Sequence, residues 1–116
     1  MAVRQLEIYS VRGDTKEIQL NFFDENNDPL DLSSIDGIYI DFSEKPDIQS
    51  KIVSLSIGNG IQIFDTNKAK VTIDYINSNL FFEKDYWGDV KIKANGKVTT
   101  YFRIKLNNIL TTTKVT

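Results

Sequence analysis

Apolar and polar residues alternate along most of this chain in short runs separated by turn residues. The clearest case is Tyr86 to Leu106, YWGDVKIKANGKVTTYFRIKL. Two alternating runs flank Asn95-Gly96, a dipeptide that suits the positive-φ turn of a β-hairpin. Gly88, Val90, Ile92 and Ala94 fall on one face of the first run, with Asp89, Lys91 and Lys93 on the other. In the second run Val98, Thr100, Phe102, Ile104 and Leu106 share a face, while Lys97, Thr99, Arg103 and Lys105 point away. A period of two with one apolar face predicts half-buried antiparallel strands.

The same period recurs upstream. Residues 3–9 carry Leu6 and Ile8 on one face and predict a first strand at a sheet edge. Residues 15–23 predict a second strand with Ile18, Leu20 and Phe22 inward. A loop rich in Asp, Asn and Pro follows from Asp24, residue types that close turns. Residues 38–43 predict a third strand with Ile38, Ile40 and Phe42 inward, stopped at Pro46. Shorter runs at 51–56, 61–64 and 70–75 follow, the last with Val71, Ile73 and Tyr75 on one face. Between them and the hairpin, Asn77-Ser78-Asn79 suits the cap of a single helical turn near residues 77–83, carrying Leu80 and Phe81 to plug one end of the core. Turn signals at this spacing, about seven or eight strands and almost no helix predict an all-β antiparallel β-sandwich in one domain, residues 1–116.

Composition narrows the chemistry. The chain of 116 residues has no cysteine and no histidine, and 41% of it is apolar. Packing must therefore supply its stability, and the commonest general base and transition-metal ligand are missing. A formal net charge of −2, with 14 basic and 16 acidic residues interspersed, offers no basic stripe for nucleic acid. Apolar runs are too short to span a bilayer, and the N-terminus lacks the apolar stretch of a signal peptide. The expectation is a protein with no nucleic-acid or membrane partner and no cofactor.

Three motifs invite a chemical reading. Arg12-Gly13-Asp14 spells an adhesion tripeptide, but Gly13 has a turn role that accounts for it. Asp24, Asn26 and Asp28 have the spacing that opens a calcium loop, without the glycine or distal glutamate that completes one. Carboxylates are plentiful, but none is singled out as half of a catalytic pair, so no catalytic residue is expected and the chain is read as a non-enzyme. The rings of Tyr9, Tyr39, Tyr86, Trp87 and Tyr101, with Phe23, are candidates for outward-facing contact residues. Trp87 has the competing reading of packing against Phe81 and Phe82 at a sandwich end. Such rings suit a sugar or a protein surface alike.

The order of landmarks adds a resemblance. RGDT at 12–15 leads into an alternating strand, NDPLDL at 27–32 into IYIDF at 38–42, GIQI at 60–63 into AKVTI at 69–73, and YWGDVKI at 86–92 into NGKVTT at 95–100. Over roughly residues 11–110 this resembles the immunoglobulin-like (Ig-like) domain of tailed-bacteriophage virion proteins, as at the N-terminus of baseplate upper proteins and in small stand-alone structural proteins. The resemblance implies an Ig-like β-sandwich without a disulfide, located in the virion after assembly in the host cytoplasm. Its expected role is an auxiliary capsid protein decorating the particle, docked on capsid or tail subunits and on further copies of itself. A tail or baseplate adaptor and a carbohydrate-binding module are the alternatives. The expected docking elements are the terminal segments Met1–Ser10 and Asn107–Thr116, with Tyr9, Tyr39, Trp87, Tyr101, Leu110 and Val115 as contact residues. Removal of 107–116 is expected to leave the domain folded.

Overall fold

A computed structural model describes residues 4–45, 51–81 and 84–110. It contains eight strands: β1 (Arg4–Val11), β2 (Lys16–Asn21), β3 (Gly37–Ser43), β4 (Val53–Ile57), β5 (Gly60–Asp65), β6 (Lys68–Ile73), β7 (Asp85–Ala94) and β8 (Lys97–Ile109). A 3-10 turn at Leu32–Ser34 and one helical turn, α1 (Tyr75–Ser78), complete it. The strands hydrogen-bond in the order β1-β8-β7-β3-β4-β5-β6-β2. Two pairings, Ser56↔Gly60 and Ile57↔Ile61, are all that join β4 to β5. That corner divides the sheet into a layer β1-β8-β7-β3-β4 and a layer β5-β6-β2.

Lettering the strands in chain order reproduces an Ig-like plan. The second, fifth and sixth strands form one layer, as B, D and E do, and the third, seventh and eighth form the other with an added C′-type strand. The first strand joins the eighth in parallel rather than the second. With the β4–β5 link this makes two parallel pairings in a sheet that the alternation predicts to be antiparallel throughout.

Alternation decides what is buried. Ile38, Ile40 and Phe42 of β3, Val90 and Ile92 of β7, Ile104 and Leu106 of β8, and Val71 and Ile73 of β6 all lie in the core. Leu20 and Phe22, from β2 and its end, stand with the β6 residues in the smaller layer and complete this core. Each fully buried large side chain stabilises the fold by about 1.5–3 kcal/mol. The β7–β8 hairpin closes at Asn95 (φ 54) and Gly96 (φ 74), the two positive-φ positions of a type I′ turn.

The hairpin departs from strict alternation at one point. Val90 opposes Phe102 but Lys91 opposes Thr100, so Tyr101 is an extra residue, a β-bulge on β8. Beyond it the faces exchange. Thr99, not Val98 or Thr100, lies opposite buried Ile92, and Val98 is 58% exposed. Tyr101 and Phe102 consequently both reach Phe22 of the other layer, at ring-centroid distances of 5.7 and 5.4 Å.

The helical turn also begins earlier than its sequence predicts. Asp74, not Asn77, is the N-cap, accepting the Asn77 backbone N–H at 2.8 Å. Tyr75 therefore belongs to α1 and is 40% exposed instead of continuing the inward face of β6. Phe81 follows and fills the pole between the layers, edge-on to Phe42 at 5.7 Å and tilted against Tyr86 at 4.6 Å. Tyr86, expected among the outward rings, is instead buried and packs on Phe81; Trp87, one residue on, takes the opposite face of β7.

Gly88 sits inward on β7, directly opposite Phe42. A Cβ there would lie 2.8 Å from the Phe42 ring and 3.1 Å from Ile40. Gly88→Val is expected to destabilise the domain by about 1–3 kcal/mol through overpacking, read as a lower urea midpoint with unchanged slope. A variant as stable as the parent would contradict this packing.

Candidate functional site

The outward surface separates into a flat face and a pole. Two-residue steps along each strand place side chains of β1, β8, β7 and β3 in rows on the outer face of the larger layer. One row holds Tyr9, Asn107 and Asp85; the next holds Glu7, Lys105, Trp87 and Ser43. The third holds Gln5, Arg103, Asp89 and Asp41, and the fourth pairs Lys91 with Tyr39.

Charge on this face is paired across strands. Arg103 donates to both oxygens of Asp89, at 2.8 Å from Nε and 3.3 Å from Nη2. This fork offsets the repulsion of Asp89 and Asp41, which lie directly opposite each other. Lys51 lies 3.4 Å from Asp41, and Lys105 lies 3.9 Å from Glu7. The Lys105 ammonium also sits over the Trp87 ring, 5.9 Å from its centroid. Tyr39 folds back along its strand: a Cβ on Gly37 would meet the Tyr39 hydroxyl at 2.7 Å and its ring at 2.8 Å. Glycine at 37 therefore lets this ring lie flat.

The pole is built where β1 and β8 end beside α1. Arg12 donates from Nε and Nη2 to the Asn79 carbonyl at 3.2 and 2.9 Å, and its backbone N–H donates to the Ile109 carbonyl at 2.8 Å. Gly13, at φ 92, donates its backbone N–H to the Ser78 hydroxyl at 3.0 Å. Asn108 is buried and donates from Nδ2 to the Phe81 carbonyl at 2.8 Å, while its backbone N–H donates to the Lys84 carbonyl at 2.6 Å. Around these bonds stand Leu80, Ile109 and Leu110, which are 42%, 54% and 46% exposed.

The candidate contact residues divide accordingly. Tyr9 is 63% exposed and lies where face and pole meet; Tyr39 and Trp87 belong to the face, and Leu110 to the pole. Tyr101 is not an outward ring: the bulge turns it against the core, edge-on to Phe22. Val115 lies outside the described residues. Residues 107–109 are integral to β8, so removing 107–116 would strip a buried asparagine and three pairings with β1, not only a tail. Of the two residues expected to plug the core, Phe81 does so, whereas Leu80 is exposed and stands near Ile109 where loop 12–14 is lashed to α1.

The motifs with chemical readings are structural. The Arg12 guanidinium is held on the Asn79 carbonyl within the domain. Asp24 Oδ1 accepts the backbone N–H groups of Asn26 and Asp28 at 2.8 and 3.0 Å, which makes this segment a side-chain-closed turn. Among the described residues no group of three His, Cys, Asp or Glu is placed to hold a metal ion, and no helix is long and apolar enough to cross a membrane.

No family model matches this chain, and no curated protein does. Among solved structures, the NK cell receptor Nkp44, described as a triggering partner in natural cytotoxicity, is similar at 11% identity and a TM-score of 0.47, over 96% of this chain and 100% of that one. A likeness at that level says nothing of function, and the Ig-like assignment rests on the strand order itself.

Two outcomes follow from these contacts. Arg12→Ala is expected to cost about 0.5–1.5 kcal/mol by removing the part-buried hydrogen bonds to the Asn79 carbonyl, measured by urea unfolding; an unchanged midpoint would contradict the lashing. Burial, reinforced by the Asp24 and Glu25 carboxylates, raises the Tyr101 phenol above its ordinary value of 10.0. Its neutral form is thus favoured by folding, and that contribution, full below the unfolded pKa, is lost as pH rises through the folded one. Stability should fall with pH above about 10, and less steeply in Tyr101→Phe; identical alkaline profiles would contradict the assignment.

Proposed function

We propose that this chain is a non-enzymatic structural protein of a tailed-bacteriophage virion, an Ig-like subunit that docks on the particle surface as an auxiliary capsid protein. The sequence resemblance over residues 11–110 supplies the virion context, and the Ig-like strand order agrees with it. The observation that carries the docking role is the aliphatic pole. Leu80, Ile109 and Leu110 are large and exposed beside the segments that the Arg12, Ser78 and Asn108 hydrogen bonds join. Exposed aliphatic side chains gather there, and their burial against a partner is favourable. The shell subunit is the partner this reading assigns, with the pole facing the capsid and the flat face turned outward.

In particles purified from a host producing this chain, the chain should co-sediment at a fixed ratio to the major shell protein. The double variant Ile109→Asp/Leu110→Asp should fold normally by circular dichroism yet load about tenfold less or worse, since each lost burial is worth about 1.5–3 kcal/mol. Full loading of that variant would overturn the pole as docking surface. A chain found with isolated tails and not with shells would overturn the capsid placement.

A further inference from the structure

We propose that the outer face of the larger layer is a platform for an extended, neutral oligosaccharide, with the rings of Trp87 and Tyr39 as stacking surfaces and Tyr9 at its end. The three rings follow a bent track across the face. Tyr9 shares a row with Asp85 of β7, Trp87 stands one row further on β7, and Tyr39 stands two rows beyond that on β3. Strand spacing and rise put Trp87 about 12 Å from Tyr9 and about 14 Å from Tyr39 between Cα atoms. Such a span suits a chain of sugars and exceeds a single one.

The rings are presented in the manner stacking requires. Tyr39 lies flat because residue 37 has no side chain to lift it, and it remains 45% exposed. Trp87 is half-buried and turns a ring face outward, shared with the Lys105 ammonium, which also has Glu7 within 3.9 Å as an alternative partner. A sugar face brings polarised C–H groups to the same π surface that now attracts the cation.

Chemistry selects the ligand class. Between the Tyr9 row and the Tyr39 row the outward side chains are aromatic, charged or small and polar, with no aliphatic one among the described residues. A protein partner is better matched by the pole, where the exposed side chains are aliphatic. Most charge on this face is paired: its three ion pairs cancel and Lys91 balances Asp85, which leaves Lys93, opposite Gly37, as one net positive charge among the described residues. A polyanion therefore gains little there by counterion release. The Glu7 and Asp41 carboxylates, each paired with one ammonium among the described residues, at 3.9 and 3.4 Å, have lone pairs that suit the hydroxyls of a neutral glycan.

Trp87 is the chain's one tryptophan, so its emission reports directly on the site. The intact chain would be titrated with cellohexaose, chitohexaose and maltohexaose, with heparin as the polyanionic counterpart. A saturable shift of Trp87 emission with at least one neutral hexasaccharide is expected. By calorimetry, Trp87→Ala and Tyr39→Ala should each weaken that binding about tenfold or more, a loss of about 1.4 kcal/mol. Trp87→Phe and Tyr39→Phe, which keep a ring, should retain most of it. Ile109→Asp/Leu110→Asp should bind as the parent does, which separates this face from the docking pole. No response to any of the three sugars, a response to heparin alone, or unchanged affinity in both alanine variants would overturn the proposal.

Discussion

One aromatic contact holds the two layers in their relative position. Phe22, wholly buried at the end of β2, meets Tyr101 and Phe102 of β8 edge-on. Adjacent residues of a regular strand point to opposite faces, so one ring cannot ordinarily touch both. The bulge at Tyr101 removes that restriction and adds a second aromatic pair, each worth about 0.5–1.5 kcal/mol beyond its buried area. The Phe22 backbone is fixed as well: its N–H donates to the Asn67 carbonyl at 2.8 Å, and its carbonyl accepts Asn67 Nδ2 at 3.0 Å. The turn between β5 and β6 thereby anchors the ring that the hairpin closes upon.

With the interior sealed in this way, the exterior is free to differ from place to place. Where β7, β8 and β3 run side by side, the alternation sends lysine, arginine and aspartate outward, and cross-strand pairing neutralises them. Where β1 and β8 end, regular pairing stops and the chain is fastened by side chains instead: Arg12 on Asn79, Ser78 on Gly13, Asn108 on Phe81. Aliphatic residues collect at that join. The proposed roles of the two surfaces follow from this division, one ring-bearing with its charges mostly paired, the other apolar.

Much of the fold is legible in the sequence because a two-residue period fixes faces without long-range information. The inward sets of β2, β3 and the first half of the hairpin, and the turn at Asn95-Gly96, all follow from it. The bulge is not legible: nothing in VTTYFRI marks Tyr101 as the extra residue, and the consequence is that Val98, Thr100 and Tyr101 are read on the wrong faces. Asp74 as helix cap is hidden for a related reason, since KVTIDY reads equally as a continuous strand until tertiary packing ends it. Of the candidate contact residues, Tyr9, Tyr39 and Leu110 are exposed as read, and Trp87 faces out because Tyr86 takes the core position. The pole is legible only in part: Leu110 is an expected contact residue, but Leu80 and Ile109 join it through hydrogen bonds between segments 65 and 27 residues apart.

The layer-to-layer seam is most directly tested by nuclear Overhauser contacts of the Phe22 ring. Cross-peaks from its ring protons to the rings of both Tyr101 and Phe102 are the result this account predicts, together with a cross-strand contact pairing Lys91 with Thr100. Contacts from Phe22 to only one of the two rings, with Lys91 paired to Tyr101, would mean an unbulged hairpin and would contradict it.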